Sequence, residues 1–281
     1  MLRAWKIVLQ VVVVFAVYAV CGGLTNGVKD NPWLSLLVGA LTVAVMTFVY
    51  RWAVRRTENR EVSELRGKEA TSATFWGLVF GTLMFLCVIG NIYFLGDYEV
   101  HGIDSVSGAI GLIGFMAAAA STEEIIFRGL LFRLLERGTG TYIALVLSGL
   151  VFGAMHLLND DATVAGALAI AIEAGAMLAA GYAATRNLWL PMGVHFAWNY
   201  MESGVFSTQV SGNGDTHGLL DATLSGNHLI TGGEFGPEAS IYSVVFGALL
   251  TVCFLVVAHR RGNIVPRRRV ERVDALAALA R

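Results

Sequence analysis

Along most of this chain the apolar positions run in unbroken blocks, without the two-residue or 3.6-residue stripes of a half-buried strand or helix. Eight such blocks recur, at 5–24, 32–53, 73–95, 108–134, 141–158, 163–185, 188–206 and 239–258. Each is close to the roughly 20 residues that an α-helix needs to cross a bilayer. A backbone in lipid must satisfy its own amides, which makes the blocks helices; the ten-residue alternating stretches of a membrane barrel are missing. The expected fold is an all-α, polytopic transmembrane helical bundle of about eight spans, a single integral membrane domain over 1–281. Arg3 and Lys6 before "IVLQVVVVFAVYAVCGG" look like the start of a signal peptide. No A-x-A cleavage site follows, so the block is read as a retained first span.

Composition agrees with a lipid solvent. Hydrophobic residues make up 56% of the chain, charged ones 15%, and the mean hydropathy is +0.63. That charged share falls well short of the roughly 25% in a soluble domain. A net charge of −1 points to no nucleic-acid or acidic partner. The distribution of charge says more. Arg51, Arg55, Arg56, Arg60, Arg66 and Lys68 follow the second block, Arg133 and Arg137 the fourth, Arg186 the sixth, and Arg260, Arg261, Arg267, Arg268 and Arg269 the eighth. The opposite loops, "GDYEVHGIDS", "NDDAT" and 207–238, are acidic or polar. Positive residues collect on the cytoplasmic side, so both termini are expected there.

This divides the chain into a motif-bearing core at 108–206, a glycine-rich extracytoplasmic loop at 207–238, and a basic cytoplasmic tail at 260–281. The loop reads as a connector or a lid. The tail sequence "PRRRVERVDALAALAR" sets Val270, Val273 and Ala277 on one helical face, suited to an anionic leaflet. Cys21, Cys87 and Cys253 sit singly in apolar blocks and are expected as small buried hydrophobes. No internal repeat of the kind built into many transporters is visible.

Polar residues inside the blocks carry the chemistry, because a charge at bilayer depth costs roughly 2.5–3.5 kcal/mol and needs a partner or a cavity. The fourth block holds Glu123, Glu124 and Arg128. Glu124 and Arg128 are four apart in the favourable order and can pair. Glu123 points about 100° away and is left as a free carboxylate, a form suited to general acid–base work. The fifth block ends with Phe152 and His156 four apart, and the seventh carries His195 and Asn199 four apart, with Glu202 continuing that face. Glu173 in the sixth is read as structural.

A glutamate and a histidine can deprotonate a water held between them, while a histidine and an asparagine donate to the oxyanion. Alternatively two histidines and a glutamate, here Glu123, His156 and His195, ligate zinc and activate its water. No H-E-x-x-H and no G-x-S-x-G occurs. The single G-x-G-D, "GNGD" at Gly212 to Asp215, lies in the polar loop and spells a turn.

In order and spacing, "EEIIFR" (Glu123 to Arg128), "FGAMH" (Phe152 to His156) and "HFAWN" (His195 to Asn199) resemble the CPBP family of intramembrane proteases. That family comprises CAAX prenyl endopeptidases of the Ras-converting type and bacterial relatives in bacteriocin processing and immunity. The resemblance implies an eight-helix membrane fold with the site in a cavity. Glu123 with His156 would activate water, His195 and Asn199 would stabilise the oxyanion, and Glu124, Arg128 and Phe152 would support them. It also implies a peptide or lipidated-peptide substrate and a bacterial plasma-membrane location, and leaves open whether zinc takes part. The alternative function is a non-catalytic immunity or peptide-binding scaffold using the same site.

Overall fold

The computed structural model describes residues 4–214 and 216–267; the tail positions Val270, Val273 and Ala277 and the Asp215 of "GNGD" lie outside them. Helices run at α1 (Ala4–Gly27), α2 (Pro32–Glu58), α3 (Ala70–Phe94) and α4 (Val106–Glu124). The last continues through a π-helical stretch, Ile125–Phe132, into α5 (Arg133–Thr139). Then follow α6 (Thr141–Met155) and α7 (Val164–Ile170), the latter joined by a π turn, Ala171–Ala176, to α8 (Met177–Thr185). Next come α9 (Trp189–Asn199) with a π turn, Tyr200–Val205, a short α10 (His228–Thr231) and α11 (Ile241–Arg260).

The result is the all-α membrane bundle that the apolar blocks predict. Among the described residues, seven helical segments are long and apolar enough to cross a membrane. The α9 segment is shorter, 11 residues plus a six-residue π turn, and nearly all of it is buried. An interior helix meets no lipid, so it can be short and can carry His195, Asn199 and Glu202 at no lipid-facing cost.

Lipid supplies no hydrophobic drive between helices, so close backbone approach has to hold them together. Gly39 on α2 and Gly114 on α4 provide it: a Cβ at Gly39 would lie 2.1 Å from the Gly114 carbonyl oxygen. The same device joins α3 to α9, where a Cβ at Gly77 would fall 2.5 Å from the Leu190 oxygen. Side chains such as Phe48, Phe94 and Leu158 face outward. So do Cys87 and Cys253, which corrects the expectation of three buried cysteines; only Cys21 is buried. A thiol is apolar enough to sit on either side of a lipid-facing helix.

The basic end of the bundle is cross-linked by ions that block-by-block reading does not foresee. Glu58 takes Arg133 at 2.6 Å and Arg60 at 2.9 Å, and Arg137 as well. Glu64 takes Arg60 at 2.6 Å and lies 2.6 Å from the Tyr50 hydroxyl. Arg186 pairs with Glu136 at 2.5 Å.

At the other end, two polar loops pair as strands, β1 (Tyr98–Ile103) with β2 (Leu220–Leu224), antiparallel. The 207–238 stretch is built rather than slack. Thr208, Val210, Ser211, Phe235 and Glu238 in it are buried, and the Tyr98 hydroxyl donates to the Phe206 carbonyl at 2.8 Å.

Candidate active site

The fourth span stops being a plain α-helix immediately after Glu124. The π-helical stretch there has a wider turn, a feature that gathers at functional sites. Two further π turns fall at Glu173 and just after Asn199, so each of the three spans that supply acids to the interior is distorted at its acid.

Arg128 is 1% exposed and donates to Glu124 Oε1 at 2.6 Å, as the i,i+4 spacing predicts. Its other nitrogen donates to the carbonyls of Ala174 and Gly175 at 2.9 and 3.2 Å, oxygens loosened by the π turn around Glu173. A buried guanidinium has five donors to satisfy, and these carbonyls take what the carboxylate leaves. Its Cζ also lies 4.6 Å from the Phe152 ring centroid, a cation–π contact in a desolvated place.

Phe152 is the hub of the cluster. Its ring centroid lies 4.7 Å from His156, 6.1 Å from His195 and 4.9 Å from Phe127. The ring, expected to support the site, packs near both imidazoles.

The two histidines are oriented differently. His156 Nδ1 sits 2.8 Å from the Phe152 carbonyl oxygen, so Nδ1 carries the proton and Nε2 is free to accept one. His195 is 6% exposed and lies between the two glutamates. Its Nδ1 is 2.9 Å from Glu124 Oε1, and its Nε2 is 3.9 Å from Glu123 Oε2. Glu124 therefore serves both Arg128 and His195, a second duty that spacing along one helix does not reveal.

The side chain of Glu123 is 25% exposed, against 0% for Glu124, and its Oε2 has no hydrogen-bond partner among the described residues. Asn199, one turn beyond His195, is buried, and its side-chain oxygen is likewise unpartnered. The structure brings Glu123, Glu124, Arg128, Phe152, His156 and His195 into one cluster and sets Asn199 on the helix that carries His195.

Sequence reasoning missed Glu238. It lies 2% exposed just before α11, with Ser211 donating to its Oε2 at 2.5 Å. The Ser211 carbonyl in turn accepts from Asn159 at 2.6 Å, and the Asn159 amide bonds back to the His156 carbonyl. The 207–238 loop is thereby tied to the turn that carries His156. Gly236 permits this path, since it adopts φ +99° and a Cβ there would fall 2.0 Å from the Gln209 oxygen. The available signal was the pair Pro237 and Ser240, which starts α11 and places Glu238 within a turn of a span. Glu173 and Glu202 are also fully buried, with unpartnered carboxylate oxygens.

Among the described residues, no group of three or more His, Cys, Asp or Glu side chains is placed to hold a metal ion. His195 already spends Nδ1 on Glu124, and its Nε2 stands 3.9 Å from Glu123.

Comparison with curated proteins yields no match, and comparison with solved structures yields none either. A family model does match. It covers residues 105–201, the run from the cap of α4 to the start of the π turn after α9 that holds every motif residue of the cluster. Its description is type II CAAX prenyl endopeptidase Rce1-like, so over that stretch the chain is similar to this family, consistent with a CPBP intramembrane protease.

Proposed function

We propose that the protein hydrolyses a peptide bond at the membrane, with Glu123 as general base and no covalent intermediate. The observation that carries this reading is the His195 imidazole held between two carboxylates, one spent on Arg128 and one free. Glu123 takes one proton from water, while the hydrogen that stays on the oxygen donates a hydrogen bond to the free Nε2 of His156. The hydroxide adds to the carbonyl carbon. His195 and the Asn199 amide donate to the resulting oxyanion. For this His195 needs a proton on Nε2; one there faces the Glu123 carboxylate favourably, whereas a lone pair would not. Glu123 then passes its proton to the leaving nitrogen as the C–N bond breaks. The substrate is a peptide or lipidated peptide reaching a site inside a bacterial plasma membrane.

Glu123→Ala is expected to lower cleavage by at least about a hundredfold while the protein inserts and purifies normally. His156→Ala should behave the same way. Incubating native membranes with a Glu123→Gln trap and identifying captured peptides by mass spectrometry would define the substrate. Cleavage undiminished in Glu123→Ala would sink the mechanism and favour a non-catalytic peptide-binding role.

A further inference from the structure

The basic end of α2 carries a second feature unrelated to hydrolysis. Phe48, Arg51, Trp52, Arg55 and Arg56 repeat at helical spacing and form one face, opposite the buried Met46, Tyr50, Ala53, Val54 and Thr57. They line a cavity of about 300 Å³. The other arginines near it, Arg60, Arg133 and Arg137, all lie on Glu58 or Glu64. Arg51, Arg55 and Arg56 make no hydrogen bond or ion pair with any described residue. Three guanidiniums converging on one hollow without an acid leave a site of unmatched positive charge.

Its depth says what fills it. The 27 residues of α2 rise about 40 Å at 1.5 Å each, while the hydrocarbon layer is about 30 Å thick. Counted from Pro32, the helix leaves hydrocarbon near Trp52, so the arginines stand at headgroup level. Below them Leu41, Val45 and Phe48 continue the same side of the helix as an exposed apolar track, 55%, 41% and 69% exposed.

We infer that this face binds an acidic phospholipid. Its phosphate sits among Arg51, Arg55 and Arg56, Trp52 rests at the glycerol level, and an acyl chain lies along Phe48, Val45 and Leu41. A free phosphate would use the arginines but leave the apolar track idle, and a zwitterionic lipid would leave the charge unbalanced.

The test uses the full chain in detergent micelles doped with phosphatidylglycerol or phosphatidylcholine, with retained lipid read by native mass spectrometry. The unaltered protein should keep phosphatidylglycerol preferentially. The triple variant Arg51→Gln, Arg55→Gln, Arg56→Gln should weaken that retention by roughly fivefold per arginine, about a hundredfold together. Arg66→Gln with Lys68→Gln, basic positions outside the cavity, should leave it unchanged. A brominated phosphatidylglycerol should quench tryptophan fluorescence less in Trp52→Phe than in the unaltered protein, which tests the site even if the triple variant folds poorly. Equal retention of the two lipids, equal loss in the Arg66/Lys68 control, full competition by inorganic phosphate, or quenching indifferent to Trp52→Phe would each overturn the inference.

Discussion

Glu123 and Glu124 are adjacent and chemically identical, yet their surroundings separate them. Helix geometry alone predicts that Glu124 pairs with Arg128, and the 2.6 Å contact bears that out. The second contact of Glu124, to His195 on a span 71 residues later, needed the fold. The pair is therefore a hinge between acid and imidazole as well as a charge balance. Removing one member of a buried pair strands the other. Arg128→Met is expected to destabilise the protein by about 3–5 kcal/mol, seen as a lower unfolding midpoint in detergent. Adding Glu124→Gln should recover much of that stability but not cleavage, since His195 loses its anchor. Stability unaffected by Arg128→Met would mean that Glu124 finds its compensation elsewhere.

At the scale of helices, the ends of the spans were readable to within a few residues, because hydrophobic length is a local property. Their distortions were not. Nothing in "IIFRGLLF" or "AIEAGA" announces a π turn, since the insertion becomes favourable only when Arg128 can reach the carbonyls it frees. Strand pairing between 98–103 and 220–224 was equally hidden: each segment is short and polar, and its partner lies more than a hundred residues away. Glycines at span contacts give this scale its own prediction. Gly114→Val would drive a branched side chain into the Ser35 carbonyl, 2.3 Å from a bare Cβ. It should separate α2 from α4 and cost a few kcal/mol or more, measured as a sharply lower yield of folded, monodisperse protein. Normal yield and midpoint would show that α2 can retreat freely.

Across the whole molecule, the loop at 207–238 is tied through Glu238, Ser211 and Asn159 to the turn that carries His156. Burial raises the Glu238 carboxyl's pKa, against the hydrogen bond from Ser211, which lowers it. In the unfolded chain it ionises near the ordinary value of about 4.3. Between that value and its folded pKa the native protein keeps a proton that the unfolded chain has lost, so stability falls as pH rises through the window. Glu238→Gln, which has no proton to lose, should flatten the decline of the unfolding midpoint above about pH 4; an identical slope in the variant would rule out Glu238 as its source.

The sequence by itself determined the solvent, the helical class and the approximate span ends, and it singled out Glu123, Glu124, Arg128, Phe152, His156, His195 and Asn199 as candidates. It could do so because lipid makes every interior charge costly and therefore conspicuous. Only the tertiary structure decided that one imidazole lies between both carboxylates, that Phe152 lies near both histidines, and that Glu238 is buried at the end of a polar loop. Those contacts join residues far apart in the chain, and in a polar, glycine-rich stretch such as "GEFGPEAS" an acid carries no sign that folding will bury it.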